Sequence, residues 1–133
     1  IEFRTIISGW GHATPYDADG RPCAEWCFRT HDIKINGSNT YQHNLGPIGC
    51  SANPLNNQNP GNWQPDRAGW CPGMEVPVRM NNLDTSYNGS TISFEYDFEN
   101  WTSDGNGGNA FYAISTYIIV KSNSEINEPI VTD

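Results

Sequence analysis

A chain of 133 residues with 36% apolar side chains supplies one domain and one core. Seven Lys and Arg against fifteen Asp and Glu leave a net charge of −8, so no nucleic-acid partner and no anionic membrane surface is expected. Thirteen Gly and nine Pro argue against a helical bundle, and 12% aromatic residues argue against disorder.

The chain opens on Ile1-Glu2-Phe3-Arg4-Thr5, with no charged head before an apolar stretch. That is not a signal peptide, and it reads as a processed chain or a piece cut from a longer one. No apolar run reaches the ~18–20 residues a spanning helix needs. Arg4 to Ser8 reads as a short strand and Gly9 to Arg21 as a loop of turn formers. Ile33 and Ile35 alternate with Asp32 and Lys34, and Asn36-Gly37 then offers a hairpin turn into a strand from Thr40 to Leu45. Gly46 to Gly73 is a long loop with many Pro and Asn and two of the cysteines; loops of that length are usually functional. Val76, Val78 and Met80 alternate with Glu75, Pro77 and Arg79, and Pro77 pushes that strand to a sheet edge. Ile92 to Glu99 alternates Ile92, Phe94, Tyr96 and Phe98 against polar residues, the period of a half-buried strand. Phe111 to Lys121 is apolar on both faces and reads as a central strand. No window carries a 3.6-residue period, so the expected fold is an antiparallel all-β sandwich of the jelly-roll kind.

Cys23 and Cys27 are close enough to bridge locally, which leaves Cys50 to meet Cys71. Zinc is the rival, since His31 follows Cys27 by four residues. Against it, thiolate zinc sites come as two close pairs, and the second pair here is 21 residues apart. Disulfides imply an oxidising compartment.

Glu25 lies in Cys-Ala-Glu-Trp-Cys, where a small covalent loop would aim its carboxylate; without that loop it would read as a surface Glu on a turn. Arg67 stands beside Trp70 and Cys71 in a chain poor in basic groups. Its planar fork suits a carboxylate or carbonyl, and equally a plain salt bridge to Asp66. Trp10, Trp26, Trp63 and Trp70 fall in loops or strand ends, where indoles stack on sugar rings or cap a core. His12, His31 and His43 have no metal-ligand spacing.

Four runs carry a specific resemblance: Ser8-Gly-Trp-Gly-His12, Cys23-Ala-Glu-Trp-Cys27, Gly49-Cys-Ser-Ala-Asn-Pro54 and Asp66-Arg-Ala-Gly-Trp-Cys-Pro-Gly73. Together they resemble the second domain of the bacterial peptide-N-glycosidase F family, from about Arg4 onward. The resemblance implies a secreted amidase, extracellular or periplasmic, that cuts between an asparagine side chain and the innermost N-acetylglucosamine of an N-linked glycan. It implies two eight-stranded antiparallel jelly rolls with the cleft at their junction, no metal, no cofactor, and the pairs Cys23–Cys27 and Cys50–Cys71. Glu25 and Arg67 take the catalytic positions, and Trp10, His12, Trp26 and Trp70 the substrate-binding ones around the chitobiose core. The expected partners are the glycan of a glycoprotein and the N-terminal jelly roll. That first domain holds the principal catalytic aspartate and lies outside these 133 residues, so the isolated chain is expected to be inactive. Glu25 and Arg67 should share one face, with Trp10, Trp26 and Trp70 exposed around them. A carbohydrate-binding module without hydrolysis is the second reading. A copper monooxygenase-like half is the third, disfavoured by the absence of His-x-His.

Overall fold

Alternation sets the walls of the core. The computed structural model describes residues 1–132 except 60, 62, 99 and 107. Among these the strands are β1 (Glu2–Trp10), β2 (His12–Thr14), β3 (Cys23–Ala24), β4 (Thr30–Ile35), β5 (Ser38–Asn44), β6 (Arg79–Asn82), β7 (Phe94–Asp97), β8 (Thr102–Ser103) and β9 (Phe111–Ile119). All pairings are antiparallel, in three ladders ordered β6-β1-β9, β3-β2-β8 and β5-β4-β7. β1 and β2 are separated by Gly11 alone, at φ 76°, where a residue with a Cβ would be strained. Taken as one strand bent at that glycine, they bring the nine described strands to eight. The fold is an antiparallel jelly-roll β-sandwich with two disulfides.

Phe3 of β1 meets Ile33 and Ile35 of β4 between the layers, with Leu83, Phe94 and Tyr96 around them. A second cluster joins Ile7, Leu45 and Ala68 beneath Tyr96, Phe98 and Tyr112. The alternation expected from Ile92 onward therefore holds, since Ile92, Phe94, Tyr96 and Phe98 all pack inward. Glu95 and Asp97 face out and pair with Lys34 at 2.9 and 2.7 Å. The ladder itself is shorter than Ile92 to Glu99, and Glu99 lies outside the described residues.

Three expectations are corrected. β9 is an edge strand, not a central one, because β1 takes the middle of its ladder. Tyr112 packs into the core, but on the strand's other positions Phe111, Ile114, Tyr117 and Ile118 are 41–55% exposed. The strand foreseen around Val76–Met80 does lie at an edge, but it starts at Arg79, past Pro77. Val76 and Val78 precede it. The stretch read as a loop from Gly9 to Arg21 contains β2 and the end of β1.

Candidate active site

The Cys23–Cys27 bridge closes a loop of three residues, and Ala24 at its start sits at φ 36°. A non-glycine residue there costs about 1–3 kcal/mol and persists only where its surroundings enforce it. The enforcement comes from β1 and β2. His12 pairs with Ala24 in the ladder, and the Gly9 backbone lies directly against the Ala24 carbonyl. Glu25, next along, is then held from both sides. Its backbone N–H donates to the Gly11 carbonyl at 3.3 Å, and its Oε2 accepts the Gly11 N–H at 3.1 Å.

Arg67 completes the arrangement from 42 residues away. Its Nε donates to Glu25 Oε1 at 3.1 Å, and its Nη1 donates to the Pro65 carbonyl at 2.8 Å. The Ala68 N–H donates to the Glu25 carbonyl at 2.8 Å, so the two loops are also stitched through the backbone. The guanidinium lies 4.6 Å from the Trp26 ring centre and 5.7 Å from that of Trp70. An arginine flanked by indoles is held by cation–π attraction as well as by its hydrogen bonds. The Arg67 side chain is 4% exposed and that of Glu25 is 16% exposed, so the carboxylate is the member of the pair that solvent reaches.

The second disulfide braces the loop that carries Arg67. Cys50 and Cys71 are bonded, and Asp66 Oδ1 accepts the N–H groups of Gly49 and Cys50. Asn53, fully buried, donates to the Pro72 carbonyl and accepts the Leu55 N–H. The sulfurs of Cys50 and Cys71, which lie near Asp66, are bonded to each other, so they are not free thiolates for a metal. The disulfide pairing expected from spacing is the one observed, and no free cysteine occurs among the described residues.

The tryptophans divide. Trp10 ends β1 with 40% exposure, and its N–H donates to Ser8 Oγ at 2.9 Å. Phe111, its ladder partner, lies 6.3 Å away and nearly parallel to it. Trp70 contradicts the expected exposure. It is 4% exposed, packs 4.3 Å from Trp10, and donates its N–H to the Gly9 carbonyl at 3.1 Å. It fills the space between Trp10 and Arg67, so a buried indole supports an exposed one. Trp26 is half-buried under Arg67, and Trp63 lies apart, its N–H on the Asn59 carbonyl. His12 is half-buried beside the Glu25 loop. Sequence reasoning did not find Gly9 and Gly11, whose backbones hold the glutamate; the Gly-Trp-Gly spacing marks a close approach but does not say to what.

Residues 1–119 match the family described as Peptide-N-glycosidase F, C terminal. The chain belongs to that family. It is 65% identical over 130 residues to peptide-N(4)-(N-acetyl-beta-D-glucosaminyl)asparagine amidase F of Elizabethkingia miricola, covering 98% of this chain and 37% of that protein. The crystal structure of a peptide-N(4)-(N-acetyl-beta-D-glucosaminyl)asparagine amidase at 2.2 Å resolution matches with a TM-score of 0.90 at 64% identity, covering 99% of this chain and 43% of that one. The structure of PNGase F from Flavobacterium meningosepticum, described as a glycosylasparaginase, gives 0.89 at 64% identity, covering 99% and 42%. The chain thus spans well under half of the relatives it matches, as a homologue of the C-terminal part of an N-glycan amidase.

Proposed function

We propose that this chain forms one wall of the active site of a secreted N-glycan amidase. The reaction would hydrolyse the amide between an asparagine side chain and the innermost N-acetylglucosamine, leaving aspartate on the peptide and a glycosylamine. The observation that carries the reading is the Glu25–Arg67 contact, fixed by a three-residue disulfide loop and two backbone bonds to Gly11. Amide hydrolysis needs a positioned water, stabilisation of the developing oxyanion and help for the leaving nitrogen. Glu25 is the carboxylate that can hold a water or the glycosyl amide. Arg67, behind it, fixes its direction and adds positive charge at the reacting end of the substrate. Trp10 offers an exposed ring face to the chitobiose core, backed by Trp70, with His12 and Trp26 flanking the carboxylate.

The chain takes the place of the second, C-terminal jelly roll of a two-domain enzyme. Support comes from its 37% share of its relative and from β9, a long apolar edge strand of the sort that soluble proteins cover. The upstream jelly roll would supply the catalytic aspartate, so this chain by itself would not release glycans. Two disulfides favour an oxidising, extracellular or periplasmic setting. The deciding experiment replaces Glu25 by Gln in the two-domain protein and follows glycan release from a denatured glycoprotein by mass. A loss of turnover of at least about 100-fold with nearly unchanged melting temperature is expected for a catalytic acid–base group. Turnover within a few-fold of the unaltered protein would instead leave the chain as a carbohydrate-binding module.

A further inference from the structure

His31 on β4 and His43 on β5 face each other in the ladder and are 2% and 3% exposed. They point into the sandwich on the same face of the hairpin as Ile33 and Ile35. The His31 ring is enclosed by Tyr96, Phe98 and Tyr112, with ring centres 5.1–5.7 Å away, and His43 lies 5.6 Å from Tyr96. His43 Nε2 meets Asn81 Oδ1 at 2.7 Å. Nδ1 of each histidine and the Tyr96 hydroxyl have no hydrogen-bond partner among the described residues.

The charges around the pair give a proton no welcome. Arg29, just before β4, and Arg79, on β6, both act on His31, and Arg79 also acts on His43. The one acid acting on His31 is Asp32, on the outer face of β4, where Asn39 and Gln42 already donate to it. Tyr96 and Tyr112, from β7 and β9, are held protonated by burial, Tyr112 at about 12, so neither supplies a negative charge.

The same side chains lie directly beneath the candidate site. The Tyr112 ring touches the position of Gly9, and Gly9 rests on Ala24, next to Glu25. Tyr96, Phe98 and Tyr112 also pack on Ile7, Leu45 and Ala68, and Ala68 adjoins Arg67.

We propose that the His31–His43 pair is an acid-release device: while neutral it locks the core beneath the Glu25–Arg67 site, and acidification opens that core because the closed fold cannot hold the charged rings. Burial first, then His43, Arg29 and Arg79, push His31 down to about 4, and burial pushes His43 down against the opposing effect of Asn81. An unfolded histidine takes its proton near pH ~6.5. Between there and about 4 the unfolded chain binds a proton that folded His31 refuses, so stability falls as pH falls. Each such histidine raises the unfolding equilibrium constant by up to about tenfold per pH unit, and two by up to about a hundredfold. The device acts on folding, so it stands or falls apart from the amidase reading.

Imidazole proton–nitrogen correlation spectra from pH 7.5 to 5, with urea unfolding at each pH, test it. Both rings should remain neutral in the folded protein at pH 5.5, and unfolding should become steeply easier below pH 6.5. His31→Leu, which removes one titrating ring, should reduce that steepness by up to about tenfold per pH unit. His43→Gln, which keeps a donor for Asn81, should do the same. Either ring gaining its proton near pH 6.5 with the fold intact would overturn the proposal, as would equal pH dependence in the unaltered protein and both variants. If neither variant folds, the titration of the unaltered rings decides alone.

Discussion

Gly9→Ala tests whether the site depends on one close approach between backbones. A Cβ at Gly9 would fall 2.0 Å from the Ala24 carbonyl oxygen, 2.6 Å from its carbon and 2.8 Å from Cε1 of Tyr112. The first two atoms are backbone, so no rotamer change relieves them. The strands must part by more than about 1 Å, and overpacking of that kind costs about 1–3 kcal/mol. The Gly9 carbonyl also receives the buried Trp70 N–H, and losing that bond costs a further ~1–3 kcal/mol. A total of about 3 kcal/mol should lower the melting temperature by about 10 °C in a chain of this length. Gly9 is not among the glycines with positive φ, so the effect is steric. Gly20→Ala is the control. Gly20 has φ 77° and nothing within 4 Å of its added Cβ, so only about 1 kcal/mol of backbone strain is expected. Differential scanning calorimetry of both variants settles the matter. A Gly9→Ala protein that melts within about 2 °C of the parent would refute the seam between β1 and the glutamate loop.

Removing Cys50 and Cys71 together, each to Ala, should cost about 3 kcal/mol and lower the urea midpoint, because a 21-residue separation is released in the unfolded chain. Removing Cys23 and Cys27 should cost less stability, about 2 kcal/mol, yet reduce glycan release in the two-domain protein about as far as Glu25→Gln does. Kinetics and a melting curve on one preparation read both. Ile114→Glu on exposed β9 should leave the melting temperature of this chain within about 2 °C but weaken its association with a separately made upstream half, measured by calorimetric titration.

The sequence carried the parts of the fold in which alternation has a physical cause inside the chain. Ile33, Ile35 and Asn36-Gly37 placed β4 and its turn, and the inward row from Ile92 to Phe98 was legible residue by residue. β9 was misread as central because apolar residues on both faces do not report a strand's place in its ladder: Tyr112 faces the core while Phe111, Ile114, Tyr117 and Ile118 lie exposed. β2, β3 and β8 are two or three residues long, too short to display a period. At the site, the cysteine pairing was visible, and Glu25 and Arg67 were expected on one face, but the hydrogen bond that joins them was not, since no local pattern joins positions 42 residues apart. Trp70 was expected outside and lies inside, because Trp10 packs against it and its N–H reaches the Gly9 carbonyl. His31 shares the alternation of Ile33, a signal of burial that a search for metal spacing passes over.

β1 has its longest ladder with β9, Glu2 opposite Ile119 and Trp10 opposite Phe111. During synthesis, residues 2–5 can pair first with β6, but the second half of β1, residues 6–10, has no ladder partner among the described residues until β9 has left the ribosome. Closure of so long a loop is entropically costly and slow, and it comes after the local hairpin of β4 and β5 is available. Residues 6–10 stay unpaired through that interval, in the condition that chaperones recognise. Because Trp10 lies at the end of this same strand, opposite Phe111, its place beside the Glu25 loop is fixed only once β9 has docked.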